Sequence, residues 1–262
     1  MRSSGRCTAS PPRRLRPVWR RRARVIRSIV VIFSSAVLTA FCASGAYIQG
    51  RRSRCGCDRV TRRWARLVLR LAGVRVRIEG LERVDWSEPM VIVANHQSWF
   101  DVFALVAFLP GRTRFVAKKE LGRIPIFGPA WKACGHVSLD REDLTSAVQS
   151  LERAGKRVRD EKLNLVLFPE GTRSPDGRLQ AFKKGAFVLA IHTEVPILPL
   201  GLAGSRAVMP KGSFRIRPGE IRIRVGEPIP VEGLSHRDRD RLLSTSRAAV
   251  AKLMGDFEGE EE

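Results

Sequence analysis

From Ser28 to Gln49 the chain carries no charged side chain, and arginines crowd both ends of this stretch, eight between Arg13 and Arg27 and eight more between Arg51 and Arg70. As a helix, Ile29 to Ile48 is about long enough to cross a hydrocarbon core of ~30 Å. We read residues 28–50 as a membrane segment, preceded by a basic arm over residues 1–27. A crossing helix and a shallow membrane-lying hairpin both satisfy the pattern, and the symmetric arginines give no bias from which to read orientation. A basic start, an apolar middle and the small residues Ser44, Gly45 and Ala46 also fit a cleaved signal peptide loosely. A lipoprotein site at Cys42 is disfavoured by the bulky Phe41 before it.

The formal charge of +22 is concentrated in the same region, because residues 1–70 hold eighteen arginines against a single acid, Asp58. Dense arginine suits either nucleic-acid phosphates or an anionic membrane surface. The apolar neighbour favours the membrane, and the sequence has no zinc finger, aromatic RNA-binding signature or basic zipper. A chain of 262 residues leaves room for one well-buried domain. The five cysteines, Cys7, Cys42, Cys55, Cys57 and Cys134, are too scattered for a disulfide framework, and their odd number leaves at least one unpaired. A reducing compartment fits this usage. Cys55 and Cys57 read as incidental thiols, since no second Cys or His pair follows at zinc-ligand spacing.

Residues 51–71 form a basic amphipathic helix in this reading, with Val60, Trp64, Leu67, Val68 and Leu71 at steps of three and four and arginines opposite. It can pack on the domain, lie at a lipid interface, or do both. Beyond it, short apolar runs at 74–78, 90–94, 114–117, 163–168, 197–201 and 221–225 read as strands. The segments 99–109, 144–160 and 181–192 read as helices between them. This alternation predicts an α/β domain over residues 72–255, a mixed and largely buried sheet flanked by helices. Residues 210–218 read as a loop, 237–254 as a last helix and 256–262 as a solvated acidic tail.

Two segments carry chemistry. In MVIVANHQSWFD, Met90 to Asp101, a buried strand ends at Ala94 and delivers Asn95, His96, Gln97 and Ser98 where open α/β sheets place their working residues. Ser98 can cap the next helix, with Asp101 completing a capping-box-like start, and this lets the Asp101 carboxylate turn back toward His96. A carboxylate on one imidazole nitrogen fixes the tautomer and leaves the other nitrogen to take a proton. In LNLVLFPEGTRS, Leu163 to Ser174, a second strand runs into Glu170, Gly171, Thr172 and Arg173. Arg173 offers a planar fork suited to phosphate, and Gly171 permits close backbone approach. Ser98 lacks the sequence of a nucleophile elbow, and a helix-cap role explains it more simply. His136, His192 and His236 have no ligand set around them, so no metal is expected, and Lys183 and Lys184 read as a solvated doublet.

Taken together these blocks resemble the glycerophospholipid acyltransferases, and among them the bacterial 1-acyl-sn-glycerol-3-phosphate acyltransferases. NHQSWFD, GHVSLDR at Gly135 to Arg141, FPEGTRS and VPILPL at Val195 to Leu200 agree in order and spacing, and FVAKKELGRIPIFG at Phe115 to Gly128 looks like the link between the first two. The resemblance covers roughly residues 60 to 230. It implies that His96 is the base, that Asp101 orients it, and that Glu170, Gly171, Thr172 and Arg173 hold the acceptor's phosphate region. Arg141 and Lys118, or Lys119 in its place, would add positive charge there. The second block departs from the family's pattern at His136, Val137 and Ser138, which bears on the acceptor more than on the reaction.

The implied reaction moves a fatty acyl group from an acyl thioester to the sn-2 hydroxyl of lysophosphatidic acid, giving phosphatidic acid. No cofactor is expected beyond acyl-CoA or acyl carrier protein as co-substrate. The implied partners are a lysophospholipid, the thioester donor and the membrane, without nucleic acid. The implied location is the inner membrane, with the catalytic domain facing the cytoplasm. Glycerol 3-phosphate, a lyso-ornithine lipid or another lysophospholipid are rival acceptors. A membrane-tethered nucleic-acid binder is the rival of another class.

Overall fold

The structure is a computed structural model that describes residues 18–52, 54–139 and 155–255. Most of the basic arm, the acidic tail, Arg141 and the start of the helix expected at 144–160 lie outside the described residues.

Seven strands form one sheet: β1 (Val74–Glu79), β2 (Met90–Ala94), β3 (Thr113–Lys118), β4 (Val137–Leu139), β5 (Asn164–Leu167), β6 (Ile197–Ala203) and β7 (Gly219–Val225). Their spatial order is β1-β7-β6-β2-β5-β3-β4. Strands β2 to β6 run parallel, whereas β7 is antiparallel to β6 and carries β1 parallel to itself. The central strands β2 and β5 are buried at every residue, as expected of continuous apolar runs covered on both faces. Edge strand β1 instead alternates, with Arg75, Arg77 and Glu79 exposed, and charges of this kind discourage further strand pairing.

The helices are α1 (Val18–Arg52), α2 (Arg54–Ala72), α3 (Trp99–Phe108), α4 (Phe127–Ala133), α5 (155–160 as described), α6 (Gly185–Thr193), α7 (Ser205–Val208) and α8 (Arg239–Gly255). Alternate residues of β2 face opposite layers. Ile92 and Ala94 pack with Phe100 and Leu105 of α3 and Ala65 and Leu69 of α2, whereas Val91 and Val93 pack with Phe187 of α6 and Val250 of α8. The sheet is thus the middle of three layers, which is the predicted α/β architecture.

Helix α1 lies antiparallel along α2 and is fastened to the domain over its length. The Arg27 guanidinium donates to the Ala72 carbonyl at 3.0 Å, the Trp64 indole donates to Thr39 Oγ1 at 3.0 Å, and Ala43 and Ala46 meet Cys57 and Cys134. Its outward face, Ile26, Ile29, Val30, Phe33, Val37 and Phe41, is exposed at helical spacing. Val25–Gln49 is long and apolar enough to cross a membrane. Bound along the domain in this way, the helix is one arm of a hairpin with a free apolar face, an arrangement that fits membrane association.

Three expectations change. The amphipathic stripe of α2 divides: Val68 faces the core with Ala65, Leu69 and Ala72, while Leu67 and Leu71 point outward at 41% and 46% exposure. The GHVSLDR block contains a strand, β4, too short at three residues to show a period. Cys57, read with Cys55 as an incidental thiol, forms a disulfide with Cys134 across 77 residues of sequence, a link that the scattered cysteines do not suggest. Spacing could not reveal that pair, because the packing of α2 and α4 against the same end of α1 creates it.

Candidate active site

Parallel strands β2, β5, β3 and β4 end at the same edge of the sheet, which gathers His96, the 169–173 turn and Lys118 from separate parts of the sequence. The loop after β2 is held rigidly. The buried Asn95 amide donates to the Leu202 carbonyl at 2.9 Å and its oxygen accepts the Leu202 N–H at 2.7 Å, which clamps the strand end to β6.

Ser98 caps α3 as the pattern predicted. Its hydroxyl accepts from the Phe100 N–H, and Asp101 completes the capping box. Asp101 is fully buried, and its Oδ2 accepts from the backbone N–H groups of Gln97 at 2.7 Å and Ser98 at 2.8 Å. The same oxygen lies 2.9 Å from His96 Nδ1. An oxygen already accepting two N–H bonds in the first turn of a helix meets the imidazole as an acceptor. Nδ1 therefore carries hydrogen and Nε2 presents a lone pair. The imidazole is further oriented by Phe168, stacked on it with centroids 4.0 Å apart and planes 16° apart. Such a pair can accept a proton from an alcohol as it attacks a carbonyl, with the imidazolium stabilised by the carboxylate.

The 169–174 turn is tied to the same loop from both sides. Ser174 N–H donates to the His96 carbonyl at 2.7 Å, and the His96 N–H donates to Glu170 Oε1 at 2.7 Å. Glu170 Oε2 accepts the Gln180 N–H at 3.1 Å, so both carboxylate oxygens hold backbone. Burial pushes its pKa up, against the opposing pull of these hydrogen bonds. Glu170, which the resemblance places at the acceptor's phosphate region, thus holds the backbone of the His96 loop.

Arg173 lies on the catalytic side. Its guanidinium stacks over Trp99, the first residue of α3, at 5.1 Å, and burial lowers its pKa while Asp101 opposes that shift. Gly171 adopts φ of +75°, and a Cβ there would come within 3.0 Å of the Lys183 side chain. Lys183 is exposed, in keeping with its reading as solvated, and its stem lies against this turn, while Lys184 pairs with Asp240 at the surface. Thr172 is exposed and Lys118 closes β3 at the same edge, also exposed. Sequence reasoning placed Asn95 at this strand end without its clamp on β6, and missed Phe168 and Lys183 as parts of the site. Among the described residues no three His, Cys, Asp or Glu side chains gather as a metal-ligand set.

An apolar cavity of about 80 Å³ lies between the helical hairpin and α3, lined by Cys42, Ala46, Trp64, Val102, Phe127, Trp131 and His136. His136, the departure in the second block, is stacked on Trp131 at 4.2 Å, and its Nδ1 accepts the Phe115 N–H at 3.1 Å. Burial, with Arg114 and Arg157 nearby, drives its pKa down to about 3.

A His–Asp pair at the edge of a mostly parallel sheet, beside a guanidinium, is an arrangement suited to acyl transfer, and residues 75–203 match the acyltransferase family model. The relatives narrow this. The chain is 37% identical over 163 residues to 1-acyl-sn-glycerol-3-phosphate acyltransferase of Limnanthes alba, covering 62% of this chain and 57% of that one. It is 34% identical over 180 residues to the alpha enzyme of that name from Homo sapiens, covering 69% and 64%. It thus spans between about half and two thirds of these curated relatives. The crystal structure of PlsC, the 1-acyl-sn-glycerophosphate (LPA) acyltransferase of Thermotoga maritima, superimposes with a TM-score of 0.75 at 25% identity, covering 89% of this chain and 97% of that one.

Proposed function

We propose that this protein acylates the sn-2 hydroxyl of a lysophosphatidic acid with the acyl group of a thioester, yielding phosphatidic acid. The observation that carries the reading is the 2.9 Å contact between His96 Nδ1 and a fully buried Asp101. His96 Nε2 takes the hydroxyl proton as the oxygen adds to the thioester carbonyl. The C–S bond then breaks, and the departing thiolate recovers the proton from the imidazolium. Arg173, with Lys183 and Lys118, supplies positive charge for the acceptor's phosphate. Acyl-CoA and acylated carrier protein both fit this chemistry as donors, and no further cofactor is required.

The hairpin explains how such lipids are reached. With the outer face of α1 immersed and the arginines of α2 near headgroup phosphates, neither substrate has to be drawn into water, at ~0.8 kcal/mol per methylene. In this reading the protein resides in the inner membrane with its catalytic edge facing the cytoplasm. The test is an assay of the purified full chain with labelled acyl donor and lysophosphatidic acid beside phosphate-free acceptors. Activity on lysophosphatidic acid that His96→Ala abolishes supports the proposal. Retention of most activity in that variant overturns it.

A further inference from the structure

The segment following α7, from Met209 to Pro218, takes no part in the chemistry above, yet it joins the catalytic edge to the hairpin. At one end the Ser98 hydroxyl, which caps the helix bearing Asp101, donates to the Met209 carbonyl at 2.8 Å. At the other end the Ser28 hydroxyl of α1 accepts the Ile216 N–H at 3.0 Å and donates to the Ile216 carbonyl at 3.4 Å. Both Met209 and Ile216 are buried. Between these pins the chain turns at Pro210, with Ser213 N–H donating to its carbonyl at 3.1 Å, and projects outward.

What it projects is Phe214, 80% exposed, the highest value among the exposed large hydrophobic residues described. Lys211, Arg215 and Arg217 around it are also exposed, and no acidic residue occurs from Ser205 to Gly219. An aromatic held out in water by a fastened backbone, ringed by cations alone, matches the boundary between acyl chains and anionic headgroups. Its position fits the same partner. The Ser28 pin places it beside the stretch of α1 where Ile26, Ile29 and Val30 are 60%, 60% and 55% exposed. The apolar face of the hairpin thus continues onto this loop.

We propose that residues 210–217 are a second membrane contact, with Phe214 seated in the bilayer and Lys211, Arg215 and Arg217 on the phosphates of anionic lipid. Because Ser98 holds the other end of the segment, the contact also fixes the height of the catalytic edge above the lipid that supplies the acceptor. The contact itself stands on geometry and charge, whereas the height function rests on the acyl-transfer reading.

The experiment uses the full chain carrying Phe214→Trp, reconstituted in phosphatidylcholine vesicles with brominated acyl chains, with and without phosphatidylglycerol. Compared with the unsubstituted protein, the added indole is expected to emit at shorter wavelength and to be quenched by the bromolipid, more strongly when phosphatidylglycerol is present. Adding Lys211→Glu and Arg215→Glu should remove that extra quenching. A water-like, unquenched indole in both vesicles overturns the contact, whether or not the protein proves to be an acyltransferase. For the height function, Phe214→Ser should raise KM for lysophosphatidic acid in vesicles roughly fivefold, the scale of losing a partly buried aromatic. KM for a monomeric short-chain acceptor should stay unchanged. Equal KM values for variant and parent in vesicles, with quenching intact, overturn the height function alone.

Discussion

The backbone N–H of His96 donates to Glu170 Oε1 at 2.7 Å, and this bond fastens together two loops 74 residues apart at the residue that carries the base. Glu170 touches backbone with both oxygens, so its effect on catalysis passes through the position of the imidazole. In Glu170→Gln only one oxygen remains for two converging N–H groups, and the amide NH₂ faces a donor. Displacement of a catalytic group by ~1 Å costs on the order of 10²-fold in rate. The variant should therefore lose kcat by about that factor while KM for the acceptor moves less than about twofold. A raised KM with kcat intact would return Glu170 to the substrate-holding role implied by family resemblance.

The same carboxylate shapes the pH dependence. Only its ionised form accepts both N–H bonds, and burial holds its pKa above the ordinary 4.5. Activity should therefore fall with acidification along a limb that begins above pH 4.5. Stability runs the other way. A folded-state pKa above the unfolded one means that this group's contribution is present at low pH and is lost as pH rises through the folded pKa. Glu170→Gln should flatten its share of the acid limb without lowering stability at neutral pH in proportion to the activity lost.

Asp101→Asn tests the tautomer argument. The Oδ2 position receives His96 Nδ1 and two backbone N–H groups, so an amide nitrogen there would face donors only. If the amide turns its oxygen to the cap instead, His96 loses its acceptor. We expect kcat to drop roughly 10²- to 10⁴-fold, with a stability loss of about 1 kcal/mol from the weakened cap. Urea unfolding beside turnover measurement separates the two effects, and near-normal kcat would contradict the role given to the pair.

Arg173 provides a test of the acceptor. Its guanidinium is preset over Trp99, and a planar fork binds phosphate in two places where an ammonium binds as a point charge. Arg173→Lys should raise KM for lysophosphatidic acid by about tenfold, equivalent to ~1.4 kcal/mol, and leave KM for a phosphate-free lysolipid unchanged. An equal effect on both acceptors would detach Arg173 from the phosphate.

The parts of this architecture legible in the sequence were those encoded locally. The buried runs of β2 and β5 and the cap at Ser98 are written in consecutive residues, and the cap alone turns Asp101 toward His96. Features created by packing left no such mark. The hydrophobic period of α2 could not say whether Leu67 joins the core or stays exposed, because an apolar stripe wider than the packed face reads the same in sequence. Nor could composition distinguish Lys183 from Lys184. One lies over Gly171 and the other pairs with Asp240, a difference set by where α6 begins.

The disulfide is another such feature, and it has a measurable consequence. Cys57 and Cys134 join α2 to α4 beside the apolar cavity, closing a loop of 77 residues. Chain-entropy arguments give a cross-link of that span a stabilisation of up to about 4 kcal/mol. Non-reducing electrophoresis with thiol counting should find the bond in protein purified under oxidising conditions. Thermal melting should then show a lower midpoint in dithiothreitol and in Cys57→Ala, with no further loss when reductant is added to that variant. Identical melting with and without reductant would exclude the cross-link as a stabilising element.

His136 allows a test of the cavity wall. Its Nδ1 accepts the Phe115 N–H, a bond that requires the neutral ring, and burial beside Arg114 and Arg157 lowers its pKa from 6.5 to about 3. The unfolded chain therefore takes up the proton first as pH falls. Stability from this group is complete above about pH 6.5 and declines toward pH 3, by up to about 1.4 kcal/mol for each pH unit. Asparagine keeps an acceptor for the Phe115 N–H and does not titrate. In urea unfolding between pH 7 and pH 4.5, the parent protein should lose stability more steeply than His136→Asn, and the difference between them should reach about 2 kcal/mol at the acid end. Parallel curves would mean that the imidazole is solvated and protonates as readily in the folded protein as outside it, which the stack on Trp131 and the apolar lining do not permit.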